Sequence, residues 1–130
     1  MRLDARYKCL YDDGVLKKVI WLGSTRRAVQ AFPSDARRWG GYELYRVQEG
    51  MEPADWKAMP SVGPGVREIR IHTNLEHRIL YVAKFAEAIY VLHAFEKKSQ
   101  RTSGTDIALA RKRFHALVRE RDRIKVIRRE

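Results

Sequence analysis

The sequence predicts an α+β domain, because strand-type and helix-type patterns follow one another along a chain of 130 residues. Three short apolar or alternating runs lie between Val66 and Phe95, and each is bounded by polar or turn-forming residues. Helical periodicity precedes them over Ser34 to Gln48 and follows them from about Ser103. A single domain with an antiparallel sheet, two helices before it and one after it is the expected architecture.

The three sheet strands are predicted at Val66–Thr73, Arg78–Phe85 and Ile89–Phe95. In the first strand, Ile69 and Ile71 alternate with charged residues, which is typical of a half-buried strand. The last strand is apolar nearly throughout, which indicates burial on both faces. Because the links between these runs are short and polar, we expect an antiparallel meander rather than parallel neighbours with crossovers.

The chain before this sheet is predicted to contain an edge strand at Lys18–Leu22 and a short helix that Ser24 caps. A second helix should run from Ser34 to about Gln48, with Gly50 ending it. Its buried stripe is expected to comprise Ala36, Trp39, Leu44 and Val47. Residues 52–65 contain three prolines and two glycines, so we expect an ordered but irregular loop.

A C-terminal amphipathic helix is predicted after the sheet, capped by Ser103 or Thr105. Its apolar residues recur every three or four positions: Ile107, Ala110, Phe114 and Leu117. The basic tail Arg123–Glu130 has too short an alternation to separate a disordered segment from a final strand.

The charge balance points to an anionic partner, since 27 Lys and Arg residues outweigh 16 Asp and Glu residues to give a net charge of +11. Nucleic acid, an acidic protein and a membrane surface all fit, and a solvated basic surface is the alternative. The single cysteine, Cys9, excludes a disulfide framework within the chain and favours a reducing compartment. With no signal peptide or spanning segment, we expect a soluble cytoplasmic protein without a membrane partner.

Three chemistries have no motif in the sequence. The four histidines do not pair with a second His or Cys at a metal-ligand spacing, so no metal is expected. Gly63-Pro64-Gly65 lacks the Gly-Lys-Ser/Thr ending of a phosphate loop, and no Gly-x-Ser-x-Gly elbow is present. We therefore expect no cofactor.

A set of cations remains, and Arg70, Arg78, Lys97 and Lys98 would line one groove if their strands are neighbours. Such cations bind a phosphate backbone and stabilise charge that develops at phosphorus. The alternative is that Arg70 and Arg78 form surface ion pairs with Glu68, Glu76 or Glu96.

Two further residue types allow a structural or a functional role. His93 lies in an apolar run, where a buried, hydrogen-bonded histidine is more usual than a catalytic one. Trp21, Trp39 and Trp56 are suited to stacking on bases, but packing in the core or in a loop is the commoner use.

The chain resembles the HigB-like toxins of the RelE/ParE superfamily, whose members are often labelled phage-derived proteins. The resemblance covers nearly everything from Val19 to Phe114 and is most specific in the combination of GVREIRI with LHAFEKKSQRT. The matching segments are VIWLGSTRRAVQAFP (Val19–Pro33), GYELYRVQEGMEPADWKAMPSVGPGVREIRI (Gly41–Ile71), RILYVAKFAEAIYVLHAFEKKSQRT (Arg78–Thr102) and DIALARKRF (Asp106–Phe114).

This resemblance implies a small RelE-like domain with a curved antiparallel sheet over residues 1–130, in which the N-terminal extension 1–18 and the tail 123–130 stand outside the match. It implies the toxin of a type II toxin–antitoxin pair that cleaves mRNA on the ribosome without a metal. A helix-turn-helix, HigA-like antitoxin would silence the toxin and carry the complex to operator DNA. ParE-type relatives act on DNA gyrase, so a gyrase inhibitor and a non-catalytic nucleic-acid-binding protein are the alternatives.

The same resemblance suggests roles for particular residues. Arg70 and Arg78 would hold the phosphate and stabilise transition-state charge, while Lys97 or Lys98 would act as acid/base or clamp the backbone. His93 is a further catalytic candidate. Additional contacts to RNA are expected from Arg67, Lys84, Arg101 and Arg111.

Overall fold

A computed structural model describes residues 16–129. Most of the predicted N-terminal extension, including Cys9, lies outside the described residues, as does Glu130. Along the chain the elements are β1 (Val19–Trp21), α1 (Thr25–Gln30), α2 (Ser34–Gln48), β2 (Trp56–Ala58), β3 (Val66–His72), β4 (Glu76–Val82), β5 (Ile89–Glu96) and α3 (Gly104–Arg129). The α+β class is thus confirmed, with two helices before the main strands and one long helix after them.

The five strands form one sheet in the order β1-β5-β4-β3-β2. The central meander of β3, β4 and β5 is antiparallel, as predicted. The edge strand β1 is also confirmed, and it pairs in parallel with β5. The prediction of a strandless loop over residues 52–65 was wrong at Trp56–Ala58, because this segment pairs with β3 and covers its free edge.

The hairpin between β3 and β4 is tighter than the sequence predicts. Glu76 and His77 were assigned to the link, but they pair with His72 and Ile71 and extend the ladder by two residues. The backbone N–H of Thr73 donates to the carbonyl of Leu75 at 3.0 Å, so only residues 73–75 make the turn. The strand β4 therefore begins at Glu76 and ends at Val82, three residues before the predicted end.

One face of the sheet packs against α1 and α2. The strands contribute Ile69, Ile71, Ile79, Tyr81, Ile89 and Val91 to this core, and the helices contribute Val29, Phe32, Ala36, Leu44 and Val47. The predicted bounds of α2 are confirmed. The prediction that Trp39 belongs to the buried stripe was wrong, since it is 36% exposed and the buried position beside it is Gly40, which lies against Ile71 and Ile79.

The other face of the sheet packs against α3. Ala110, Phe114 and Leu117, which were predicted as the apolar stripe of this helix, are buried on Leu80, Val82, Tyr90 and Leu92. This apolar stripe of α3 packs on one half of the face. Because side chains alternate along a strand, the other half of this same face carries the side chains of Glu68, Arg70, Arg78, His93 and Phe95. We call this second part the open half-face.

The helix α3 begins as predicted and continues further than predicted. The Ser103 hydroxyl accepts a hydrogen bond from the backbone N–H of Asp106 at 3.1 Å, which is the geometry of an N-cap. The prediction of a disordered or extended tail after Arg123 was wrong, because residues 104–129 form one helix. This segment contains no glycine or proline after Gly104, and its Lys, Arg and Glu residues favour helix. Among residues 16–129, no helix combines the length and apolar character that crossing a membrane requires.

Candidate active site

The open half-face is built from positions that pair across three strands. Arg70 on β3 stands opposite Arg78 on β4, and Arg78 stands opposite Phe95 on β5. In the next row Glu68, Leu80 and His93 are paired in the same way. The antiparallel meander therefore brings together residues that are up to 27 positions apart, which is why no compact motif marks them in the sequence.

The carboxylate of Glu68 lies between the two arginines. Its Oε1 atom is 3.9 Å from Nε of Arg70 and 3.7 Å from Nε of Arg78, and the Glu68 side chain is only 2% exposed. Two like charges at directly paired positions repel each other, and this buried carboxylate offsets that repulsion. Both Nε atoms are buried without a hydrogen bond among the described residues, so they face Glu68 at ion-pair distance only.

These three residues belong to a closed ring of alternating charge. Glu76 Oε1 lies 3.0 Å from Nη1 of Arg78 and 2.8 Å from Nδ1 of His72. His72 Nε2 lies 2.5 Å from Oδ2 of Asp55, and Asp55 Oδ1 lies 3.9 Å from Nη1 of Arg70. The charge ring therefore comprises Asp55, His72, Glu76, Arg78, Glu68 and Arg70.

Hydrogen bonds within the charge ring shift the pKa of its histidine. The hydrogen bond to Asp55, followed by that to Glu76, raises the pKa of His72 above its usual value. The hydrogen bond from His72 in turn lowers the pKa of Glu76. Trp39 flanks this part of the ring, with its indole edge-on to the imidazole and 6.3 Å between ring centroids.

The alternative that Arg70 and Arg78 form ion pairs is thus correct for Glu68 and Glu76, and Asp55 is a third partner. The two arginines nevertheless differ in accessibility. The Arg78 side chain is 5% exposed and also donates to the carbonyl of His77 at 2.9 Å, so it is fixed in the sheet. The Arg70 side chain is 33% exposed and can meet a ligand that lies on the half-face.

His93 and Asp106 form a second polar pair on the open half-face. Nε2 of His93 lies 2.6 Å from Oδ1 of Asp106, and the other oxygen of Asp106 accepts a hydrogen bond from the Ser103 hydroxyl at 2.6 Å. The His93 ring stacks on Phe95 with 4.8 Å between centroids. The expectation of a hydrogen-bonded histidine is confirmed, but 12% of the side chain remains exposed at the open half-face.

The predicted lysine pair follows β5 directly. The backbone N–H of Lys97 donates to the carbonyl of Glu76 at 2.7 Å, which holds Lys97 beside the start of β4. Lys97 is half-buried and Lys98 is exposed. Lys97 therefore lies at the end of the open half-face, next to the strand that carries Arg78.

The four further cations predicted to bind RNA do not join this cluster. Arg67 pairs with Tyr81 across the ladder and so lies on the opposite face, and Lys84 follows β4 on that side. Arg111 on α3 donates to the carbonyl of Ser61 at 2.8 and 2.6 Å. Arg101 is exposed in the linker before α3. The basic surface is thus divided among several parts of the domain.

Sequence reasoning missed three members of the site, which are Asp55, His72 and Asp106. Asp55 lies in the proline-rich segment before β2 and gives no periodic pattern, and only the pairing of β2 with β3 places it beside Arg70. Asp106 lies in the first turn of α3, and its contact with His93 depends on how α3 crosses the sheet. Within residues 16–129, no group of three or more His, Cys, Asp or Glu side chains is arranged to hold a metal ion.

The fold and the half-face together define a small α+β domain whose polar site lies on a sheet only partly covered by its last helix. The family model described as phage derived protein Gp49-like (DUF891) matches residues 27–115, and the chain belongs to this family. The match includes every residue of the charge ring, together with His93 and Asp106. A comparison with curated proteins found no match.

Proposed function

We propose that this protein is the toxin of a toxin–antitoxin pair and that it cleaves mRNA on the open half-face without a metal cofactor. The family match is consistent with a toxin, and the sequence resembles HigB-like members of the RelE/ParE superfamily. The observation that carries the proposal is the His93–Asp106 pair, held on the same half-face as the partly exposed Arg70.

RNA cleavage by the neighbouring 2′-OH needs one group to accept a proton, one to donate a proton and cations to stabilise the pentavalent phosphorane. Asp106 orients the imidazole of His93, so His93 is suited to take the proton of the 2′-OH. The 2′-oxygen then bonds to phosphorus and the bond to the 5′-oxygen breaks, while Lys97 protonates that leaving oxygen or holds the backbone.

Arg70 supplies the accessible positive charge in this scheme. Two strand spacings, or about 10 Å, separate the backbones of β3 and β5, so a phosphodiester over β4 would lie between Arg70 and His93. Arg78 is buried below that position and acts by adding fixed positive potential and by keeping Glu68 in place.

The direct test is brief induced expression followed by mapping of new mRNA 5′ ends. Wild-type protein should arrest growth and produce fresh cuts inside translated frames. Arg70→Ala and His93→Gln should remove the cuts while the purified variants keep the wild-type circular dichroism spectrum. Arg38→Ala is the matched control, because Arg38 is an exposed arginine on α2 at the opposite face.

The outcomes separate the alternatives. Growth arrest with intact mRNA and altered DNA supercoiling would replace the ribonuclease with a gyrase inhibitor. Normal growth would support the alternative of a nucleic-acid-binding protein without toxicity. Full cutting by both Arg70→Ala and His93→Gln would refute the assignment of the open half-face.

The expected partners of the protein are mRNA and an antitoxin. A toxin of this kind would act in the cytoplasm on mRNA that ribosomes are translating, and a helix-turn-helix antitoxin encoded beside it would silence it. Co-expression of that adjacent reading frame should restore growth and prevent the cuts. Operator DNA would then be bound through the antitoxin in the complex.

A further inference from the structure

A pocket of about 430 Å³ opens on the face of the sheet opposite the open half-face. It lies where the end of α2, the start of β3 and the end of β4 meet. Its volume falls in the range of about 300–1,000 Å³ that small-molecule sites occupy. The charge ring and His93 do not line it, so it is separate from the proposed cleavage site.

Three cations from distant parts of the chain converge on this pocket. Lys17 precedes β1, Arg67 lies on β3 and Lys84 follows β4. One carboxylate, Glu52, is among the described residues that line the pocket. No ion pair within 4.0 Å joins any of the three cations to a carboxylate of residues 16–129.

Neutral groups hold these cations in place. The ammonium of Lys17 donates to the carbonyl of Ala83, and burial lowers the pKa of Lys17. The guanidinium of Arg67 lies over the Trp56 ring, 4.0 Å from its centroid. No carboxylate of the described residues is thus at ion-pair distance from these cations, unlike Arg70 and Arg78 on the opposite face, although Glu87 attracts Lys17 at longer range.

The position of the third cation, Lys84, depends on Gly65. The stem of Lys84 crosses Gly65, and a Cβ atom added to Gly65 would come 2.7 Å from Cδ of Lys84. Gly65 also has a φ of +79°, a conformation that side chains disfavour. The absence of a side chain at Gly65 thus leaves room for the stem of Lys84, whose ammonium lies 5.3 Å from the centroid of the Phe85 ring.

We propose that this pocket binds a nucleotide, with its phosphate held by Lys17, Arg67 and Lys84. A phosphate ion alone would leave most of the volume empty, and Val47, Met51 and Ala83 provide an apolar wall for the ribose and base. The nucleotide is either free or one unit of an RNA chain, and both sources present the same phosphate. This inference does not depend on cleavage at the open half-face.

The test is calorimetric titration of the purified full chain with inorganic phosphate, AMP and a short oligoribonucleotide. AMP or the oligoribonucleotide should bind saturably at one site and more tightly than phosphate. Lys84→Gln removes one charged contact and should weaken that binding about tenfold. Arg38→Gln is the control, because it removes an exposed charge from α2 outside the pocket and should change affinity less than about twofold.

The results of the titrations distinguish the two sources of the nucleotide. Binding of AMP identifies a free-nucleotide site, and binding of the oligoribonucleotide alone identifies a site for a nucleotide within RNA. Absence of saturable binding by every probe, or equal weakening by Lys84→Gln and Arg38→Gln, would overturn the proposal. Nucleotide binding by a protein that makes no cuts in mRNA would refute the proposed cleavage and leave this site standing.

Discussion

Glu68 accepts a hydrogen bond from the hydroxyl of Thr102 at 3.0 Å, although 34 positions separate the two residues. Glu68 lies within β3, and Thr102 lies in the linker between β5 and α3. The same carboxylate lies within 4 Å of both paired arginines. One buried side chain therefore joins the linker, the central strands and the cations of the open half-face.

Replacement of Glu68 should destabilise the fold. Glu68→Gln keeps the size of the side chain but leaves Arg70 and Arg78 opposite each other without their shared counter-charge, and we expect a loss of about 3 kcal/mol in the free energy of unfolding. Urea denaturation measures this loss. Asp122→Asn, which neutralises an exposed carboxylate on α3, should change the same quantity by less than about 0.5 kcal/mol. Equal stability of both variants would show that the charge ring is not coupled to folding.

Truncation of Arg70 and truncation of Arg78 should lower the stability of the protein by different amounts. Arg78→Ala empties a buried position and removes the buried cation that contacts both Glu68 and Glu76, so it should cost about 3 kcal/mol of stability. Arg70→Ala removes a side chain that is one-third exposed and should cost at most about 1 kcal/mol. Thermal unfolding of the two variants in parallel tests this difference. A larger loss in Arg70→Ala would contradict the burial that distinguishes the two positions.

The charge ring should make stability depend on pH through His72. Because its pKa is raised in the folded protein, the stabilisation is fully present below the unfolded pKa of about 6.5 and is lost as pH rises through the folded value. His72→Gln should therefore be less stable than wild type at about pH 6, and the difference should shrink towards about pH 8. The difference should stay below about 1 kcal/mol, because these groups are exposed and screened by solvent.

His77 changes the pH dependence of stability in the direction opposite to His72. Burial lowers the pKa of His77, so it favours the folded state at high pH, and a pH scan of wild type alone would combine the two effects. The comparison of wild type with His72→Gln at each pH cancels the contribution of His77. A difference between them that grows as pH rises would contradict the assignment to His72.

Arg121 should stabilise the contact between the C-terminal half of α3 and the loop before β5. Its guanidinium makes hydrogen bonds of 2.6 and 3.2 Å to Glu87 and lies 3.8 Å from the centroid of the Phe85 ring. This contact lowers the pKa of Glu87 to about 2, and Glu87 in turn accepts from Tyr90, whose pKa burial raises to about 12. Arg121→Ala should cost about 1 kcal/mol and speed hydrogen exchange over residues 119–129. Arg119→Ala, an exposed neighbour on the same helix, should leave that exchange unchanged.

Adjacent glycines in α2 should respond differently to the same substitution. A Cβ atom at Gly41 meets nothing within 4 Å, so Gly41→Ala should stabilise the helix by about 1 kcal/mol. A Cβ atom at Gly40 would lie 2.9 Å from Cδ1 of Ile79 and 3.2 Å from Cδ1 of Ile71. Gly40→Ala should therefore be less stable than Gly41→Ala by about 2 kcal/mol, as judged by urea denaturation. Equal stability would mean that the core rearranges around the added methyl group.

Much of the fold follows from local pattern, since the α2 bounds, the antiparallel meander and the apolar stripe of α3 each depend on residues close in sequence. The pairing of Trp56–Ala58 with β3 was not predictable, because three residues in a proline-rich segment carry no period. The length of α3 was missed because exposed basic residues fit a helix and a disordered tail equally well.

The cations of the candidate site were predictable from the sequence, whereas only some of their partners were. Period-two alternation correctly put Arg70 on the face opposite Ile69 and Ile71, and the carboxylates Glu68 and Glu76 were recognised as possible partners. Burial of Arg78 depends on its central strand, and the contact between His93 and Asp106 depends on the crossing of α3 over β5. Neither is a property of sequence spacing.

The carboxylate of Asp106 contacts two neighbours. It accepts a hydrogen bond from the Ser103 hydroxyl at the start of α3, and its other oxygen is hydrogen-bonded to the imidazole of His93. The first turn of the helix therefore supports the orientation of that ring. A shortened or lengthened linker between β5 and α3 would detach the histidine from its support without altering any residue on the half-face. Natural variation in linker length would consequently reveal which relatives retain an ordered imidazole.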